Sequence, residues 1–170
     1  TDIGLQGSDL RAAERTFQLV RQVAGRAGRA EKPGLALLQT HQPEHSVIRA
    51  ILSGDEVSFW DAEAGAREVA GVPPFGRFAG IIISASDAEA AFNLGTHLSR
   101  QKAALDRIGA QVYGPAPAPI ARVRGRFRVR LLIKAEKTAP LQKAISQWLR
   151  QVKLPNDIRL SVDIDPQTFL

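Results

Sequence analysis

The spacing of apolar positions predicts mainly helices in the first part of the chain. Over residues 10–30 the apolar side chains recur every three or four positions, which is the period of an amphipathic helix. The same period predicts helices around residues 47–52 and over residues 57–69. Between them, the short apolar run at residues 35–40 predicts a buried strand.

A change of pattern separates a second part of the chain. Residues 71–76 contain two prolines and two glycines, which do not fit inside a regular element, so we predict one domain over residues 1–72 and another over residues 73–170. Beyond this boundary the pattern predicts a strand at 77–85, a helix at 87–108, strands at about 112–124 and 127–134, a helix at 138–152 and a strand at 158–164. This β-α-β-β-α-β order predicts an α+β, ferredoxin-like domain with two helices on one face of an antiparallel sheet and the other face free.

Basic residues alternate with apolar ones along the strand predicted at residues 127–134. The odd positions are apolar, so strand alternation buries them and turns Arg126, Arg128 and Arg130 outward. Gly125 predicts a turn before this strand. If Arg122 and Arg124 share the same open face, five guanidiniums form one patch, and Lys134 extends the basic stretch.

Such a patch predicts a DNA-binding surface made of Arg122, Arg124, Arg126, Arg128, Arg130 and Lys134. Like charges repel one another, and phosphate backbones are the commonest partners that neutralise them. Few aromatic residues lie nearby, which favours contact with the backbone over recognition of bases. The alternative interpretation is an edge hairpin that carries charge to prevent aggregation.

The composition is that of a globular protein with a polyanionic partner. A net charge of +6 favours nucleic acid, and no apolar run approaches the roughly 20 residues needed to span a bilayer. We therefore expect a cytoplasmic, nucleoid-associated protein without membrane contact. The chain has no cysteine, which excludes thiolate zinc sites, and Pro43 separates His41 from His45, so we expect no metal site. The chain also has no methionine, and we interpret it as a fragment that begins inside a domain.

The segment at residues 22–29 has the form Q-x-x-G-R-x-G-R. On a helix, Gln22, Arg26 and Arg29 lie at i, i+4 and i+7 and share one face. Guanidinium groups bind phosphate bidentately, and the two glycines, Gly25 and Gly28, allow a partner backbone to approach closely. The alternative is a solvated helix end with a C-terminal cap near Gly28.

Several segments together resemble the primosomal protein N′ (PriA) family, the bacterial DNA helicases of replication restart. The similarity runs through the whole chain, and Leu10 and Ser8 stand where the family usually has Phe and Pro. The segments that carry it are residues 9–19 and 22–29, Gln39-Thr40-His41, Pro73-Pro74-Phe75-Gly76-Arg77, residues 114–119 and Asp163-Ile164-Asp165-Pro166.

The resemblance implies that residues 1–72 end the second, RecA-like ATPase lobe of a 3′ to 5′ DNA helicase. Gln22, Gly25, Arg26 and Arg29 would then contact the γ-phosphate of ATP with Mg²⁺, with Arg29 as the arginine finger and Arg26 beside it. The implied partners of the whole protein are branched and single-stranded DNA, the single-stranded-DNA-binding protein and other primosome proteins. The sequence has no G-x-x-x-x-G-K-[ST] loop and none of the cysteines with which the family holds zinc. The resemblance places both upstream, so we expect no ATPase activity from these residues alone.

Two other functions fit the same sequence. In one, the chain is a non-enzymatic nucleic-acid-binding module in which Arg26 and Arg29 contact phosphates of the nucleic acid. In the other, it is a protein-docking module whose basic face receives an acidic tail.

Overall fold

The computed structural model describes residues 10–27 and 34–167. Internal contacts divide the chain into two compact units, Thr1–Ala66 and Arg67–Leu170. The predicted functional boundary between residues 72 and 73 stays a prediction.

Helices and a small aromatic core form the first unit. Its helices are α1 (Ala12–Ala24), α2 (Ser46–Ser53) and α3 (Glu56–Ala70), the last of which runs past the end of the unit. Phe17 of α1 stacks on Phe59 of α3, with ring centroids 4.0 Å apart, and Trp60 meets both rings edge-on. Val47 of α2 completes the buried cluster. Apolar residues at helical spacing therefore form this core, as the sequence pattern predicts.

Two expectations for the first unit differ from the structure. Helix α1 ends at Ala24, earlier than predicted, and Gly25 is its C-cap. The strand predicted at residues 35–40 is wrong, because residues 34–40 have no regular structure and Leu35 and Leu37 are 82% and 89% exposed. A strand forms only beside another strand, and the described part of the first unit contains helices alone.

The second unit is a mixed α/β structure with a four-stranded antiparallel sheet. Its elements are β1 (Gly76–Ala85), α4 (Ala88–Arg100), α5 (Ala103–Asp106), β2 (Gln111–Val123), β3 (Arg126–Glu136), α6 (Leu141–Arg150) and β4 (Arg159–Ile164). The strands lie in the order β2-β3-β1-β4. The single helix predicted at residues 87–108 is wrong, because Gln101 leaves the helical region at φ −96° and ψ 58°. The chain turns there and places Ala104 and Leu105 of α5 in the core.

The helices cover one face of the sheet. Ile81 and Ile83 of β1 are buried in one cluster with Leu98 of α4 and Trp148 of α6. The same cluster contains every second residue of β3 from Val129 to Ala135. The alternation predicted for β3 is therefore confirmed, since this strand buries every second side chain from Val129 to Ala135. Trp148 is fully buried as a core residue. The opposite face of the sheet carries the candidate site.

Candidate nucleic-acid interface

Several arginines lie on the face of the sheet opposite the helices, which we call the open face. Arg128 of β3 and Arg159 of β4 both lie beside Ser84 of β1, so the three residues form a row across three strands. In the next row, Arg130 lies beside Ile82. Residues directly opposite each other in a sheet point to the same side, so the three arginines project together. Adjacent strands lie about 4.8 Å apart, which places Arg128 and Arg159 about 10 Å from each other.

Arg126 begins the same strand but is engaged within the protein. Its guanidinium donates to Ser84 Oγ over 3.2 Å and to the Ser84 carbonyl over 2.9 Å, and it also donates to the Asp157 carbonyl. It forms an ion pair with the Asp157 carboxylate over 3.1 Å. Arg126 therefore joins β3 and β1 to the loop before β4, and Asp157 neutralises its charge.

Asp157 is the acidic partner in this network. Its carboxylate accepts hydrogen bonds from the Ser86 hydroxyl over 2.6 Å and the Ser86 amide over 2.8 Å. These two bonds, followed by the contact with Arg126, lower the pKa of Asp157 to about 2. The carboxylate is therefore charged at neutral pH and keeps Arg126 in place.

Arg122 and Arg124 do not lie on the open face. The patch of five guanidiniums, which required both of them on that face, therefore does not form. Arg122 lies opposite Phe127, an odd-numbered residue on the helix-covered side, and its guanidinium stands 4.9 Å from the Phe127 ring centroid. Arg124 occupies the turn between β2 and β3 with φ 48°, followed by Gly125 with φ 78°. Two consecutive positive φ angles are typical of a tight two-residue hairpin turn, which confirms the turn predicted at Gly125.

Lys134 lies on the open face at the far end of β3. Its ammonium group donates to the carbonyl of Ala70 over 2.6 Å. It also lines a cleft of ≈ 490 Å³ together with Phe75, Gln111 and Thr138. Lys134 thus contributes charge at the edge of the site and anchors the segment before β1.

Arg159 is a site residue that the sequence pattern did not single out. The signal was present, since Leu160, Val162 and Ile164 alternate with Arg159, Ser161 and Asp163 in β4. That alternation assigns Arg159 to the polar side of the strand, but only the pairing of β4 with β1 places it beside Ser84 and Arg128. Asp163 lies on the same face near the other end of β4, beside Gly80, so the positive charge is concentrated at the end that contains Ser84.

The Q-x-x-G-R-x-G-R segment is described only in part. Gln22 lies in the last turn of α1, Gly25 caps the helix, and Arg26 follows in a turn where its amide donates to the Val23 carbonyl over 3.1 Å. Gln22 and Arg26 are both exposed, and they are not aligned on one continuous α-helix because α1 ends between them. Gly28 and Arg29 lie outside the described residues.

Metal-binding clusters and membrane-spanning helices are absent from residues 10–27 and 34–167. Within these ranges, no three His, Asp or Glu side chains are arranged to hold a metal ion. The helices in the same ranges include none long and apolar enough to cross a membrane.

The chain is similar to curated proteins along almost its whole length. It is 37% identical over 168 residues to the replication restart protein PriA of Rickettsia conorii, which covers 99% of this chain and 26% of that protein. The identity is 35% over 167 residues with the PriA of Haemophilus influenzae, covering 98% and 23% of the two chains. With the PriA of Bacillus subtilis it is 31% over 173 residues, covering 99% and 21%. The chain thus spans about a quarter of the length of the curated relatives it matches.

A family model matches the second unit. The model of the primosomal protein N C-terminal domain covers residues 68–167, which include the whole sheet and all three arginines of the open face. These matches confirm the resemblance drawn from the sequence motifs. The chain therefore belongs to the family of the primosomal protein N C-terminal domain.

Proposed function

We propose that the chain forms part of an ATP-dependent 3′ to 5′ DNA helicase that restarts stalled replication forks by primosome assembly. The curated relatives are named as replication restart proteins, which supports this function. Its partners in this role are branched and single-stranded DNA, the single-stranded-DNA-binding protein and other primosome proteins. It acts in the cytoplasm at the nucleoid.

In this proposal the first unit is the end of a RecA-like ATPase lobe. Gln22, Gly25, Arg26 and Arg29 face the γ-phosphate of ATP with its Mg²⁺, and Arg29 acts as the arginine finger. The exposure of Gln22 and Arg26 at the end of α1 supports this role, because both side chains are available to a ligand. The exposed Leu19 and Val23 on α1 support packing against further parts of such a lobe.

The second unit is a ferredoxin-like domain that binds the DNA backbone through its open face. Its strand order and the placement of both long helices on one face support the fold. The observation that carries the functional proposal is the row of Arg128, Ser84 and Arg159 on a sheet face not covered by those helices. The described residues provide Arg128 and Arg159 with neither a hydrogen bond nor an ion pair, so their charges are available to phosphates.

A salt series tests the DNA-binding role. Fluorescence anisotropy with single-stranded and forked DNA would compare the unaltered chain with the double variant Arg128→Ala and Arg159→Ala, which removes both arginines of this row. Removing one phosphate-binding charge flattens the dependence of log affinity on log salt by roughly 0.7 to 0.9. The control is the double variant Arg100→Ala and Arg150→Ala, which removes the same charge from the last turns of α4 and α6.

The result separates DNA binding from the other interpretations. A flatter slope in the open-face variant, with the control unchanged, supports the proposal. Equal effects in both variants would show that only net charge matters. Absence of DNA binding would refute the role and favour edge protection or the docking of an acidic protein tail.

A further inference from the structure

Tyr113, the chain's one tyrosine, lies on the open face of the sheet. It is paired with Leu132 of β3, which shares the side of Arg130 and Lys134. Its neighbour Val112 packs against the core on the opposite side, as strand alternation requires. The side chain of Tyr113 is 49% exposed. An aromatic ring therefore stands on the same surface as the arginines.

The surroundings of Tyr113 leave room for a planar ligand. Its hydroxyl donates to Gln111 Oε1 over 2.6 Å, which fixes one edge of the ring. Across β3 the next residue in the row is Gly80, where an added Cβ would find no atom within 4 Å. No side chain therefore projects from Gly80, beside Leu132, into the space above the sheet.

Positive charge lies next to this ring. Arg130 and Lys134 flank Leu132 at two residues on either side, so both are diagonal neighbours of Tyr113 at roughly 7–8 Å between Cα atoms. The row with Arg128 and Arg159 continues the charge toward β4. From β2 to β4 the face spans three strand spacings, about 14 Å.

We propose that the open face binds single-stranded nucleic acid, with Tyr113 stacking on an unpaired base while Arg128, Arg130 and Arg159 contact phosphates. The inference rests on the proposed function and adds a base-stacking residue, Tyr113, to the phosphate contacts of the arginines. A duplex hides the faces of its bases in its own stack, whereas a single strand can offer a base to an exposed ring. Four-stranded sheets whose aromatic residues stack on bases are known among nucleic-acid-binding domains. This sheet also has four strands, and Tyr113 supplies one such aromatic residue. An acidic peptide would satisfy the arginines without requiring an aromatic ring beside them.

The test compares Tyr113→Ala and Tyr113→Phe in the full 170-residue chain, using a single-stranded oligothymidylate and a blunt duplex of equal length. Removing the stacking ring in Tyr113→Ala weakens binding of the single strand by about tenfold. Tyr113→Phe retains the ring and should keep the affinity within about twofold. The salt slope should stay unchanged in both variants, because the arginines that bind phosphate are all retained. Phe92→Ala is the control, since Phe92 is also an exposed aromatic residue, 36% exposed, but lies on α4 in the helix layer.

Each outcome decides either this inference or the proposed function. Equal weakening of single strand and duplex by Tyr113→Ala, or no weakening, would refute the stacking role while leaving the arginine contacts to their own test. The same weakening in Tyr113→Phe would also refute it, because the ring is then not what binds. Failure of the unaltered chain to bind either nucleic acid would refute both proposals. Melting temperatures of the variants, which should match that of the unaltered chain, verify that weaker binding does not come from unfolding.

Discussion

Among the alternating arginines at the start of β3, local contacts separate a structural residue from ligand-binding ones. Arg126 and Arg128 are two positions apart and identical in type, yet Arg126 has Ser84 and Asp157 as partners. Arg128 projects from the same face without that acidic neighbour. The charge of Arg126 consequently stabilises the fold, whereas the charge of Arg128 is available to a ligand.

Arg126→Ala should lower stability and leave the salt dependence of DNA binding unchanged. Removal of the two hydrogen bonds to Ser84 lowers the free energy of unfolding by about 1–2 kcal/mol, measured by urea denaturation. The salt slope should not change, since Asp157 already neutralises this charge. Arg128→Ala is the matched control and should give the opposite result, unchanged stability with a flatter slope. A flatter slope in Arg126→Ala would contradict the structural role of Arg126.

At the scale of elements, the position of helix α4 depends on a close approach to β2. A Cβ added to Gly95 would lie 2.8 Å from Pro115 Cβ and 3.4 Å from Ile83 Cδ1. Pro115 is also part of an irregular stretch of β2, where the register against β3 shifts between Tyr113 and Ala116. The absence of a side chain at Gly95 therefore lets α4 lie against both β1 and β2.

Gly95→Ala should destabilise the second unit although alanine is the better helix former. Alanine gains about 1 kcal/mol over glycine inside a helix, but a clash with a proline ring in a packed core costs typically about 1–3 kcal/mol. We expect a net decrease in stability in chemical denaturation. Gly80→Ala is the control, because a Cβ at Gly80 would meet no atom within 4 Å on the open face. Equal stability of Gly95→Ala and the unaltered chain would show that α4 can shift without cost.

At the scale of the whole molecule, the two units have cores of different extent. In the described part of the first unit the buried cluster consists of Phe17, Val47 and Phe59. The second unit buries residues from β1, β3, α4, α5 and α6 in one cluster. The first unit also exposes large apolar side chains, among them Leu35 and Leu37.

The amides of α1 and α2 should therefore exchange with solvent faster than those of β1 and β3. Local opening is least costly where few apolar side chains are buried. Hydrogen exchange followed by mass spectrometry on the whole chain measures this difference directly. Uniform protection across both units would contradict the expectation.

The sequence by itself determined the features that depend on neighbours along the chain. Period-two alternation assigned Arg126, Arg128 and Arg130 to one side of β3, and Gly125 marked the hairpin turn. Helical spacing over residues 10–30 predicted the amphipathic helix that buries Phe17. These features follow from local geometry, which repeats about every two or 3.6 residues. The family resemblance likewise rested on short segments of consecutive residues.

The tertiary structure decided what depends on residues far apart in the chain. Register, which no local pattern specifies, turned Arg122 toward Phe127, brought Arg159 beside Ser84 and Arg128, and placed Tyr113 on the open face. The ion pair with Asp157, 31 residues away, removed Arg126 from the ligand-binding set. The apolar run at residues 35–40 has the composition of a strand. The described residues of its unit contain no strand that could pair with it and satisfy its backbone hydrogen bonds. The type of each side chain is local, whereas its neighbours across the sheet exist only after the chain has folded.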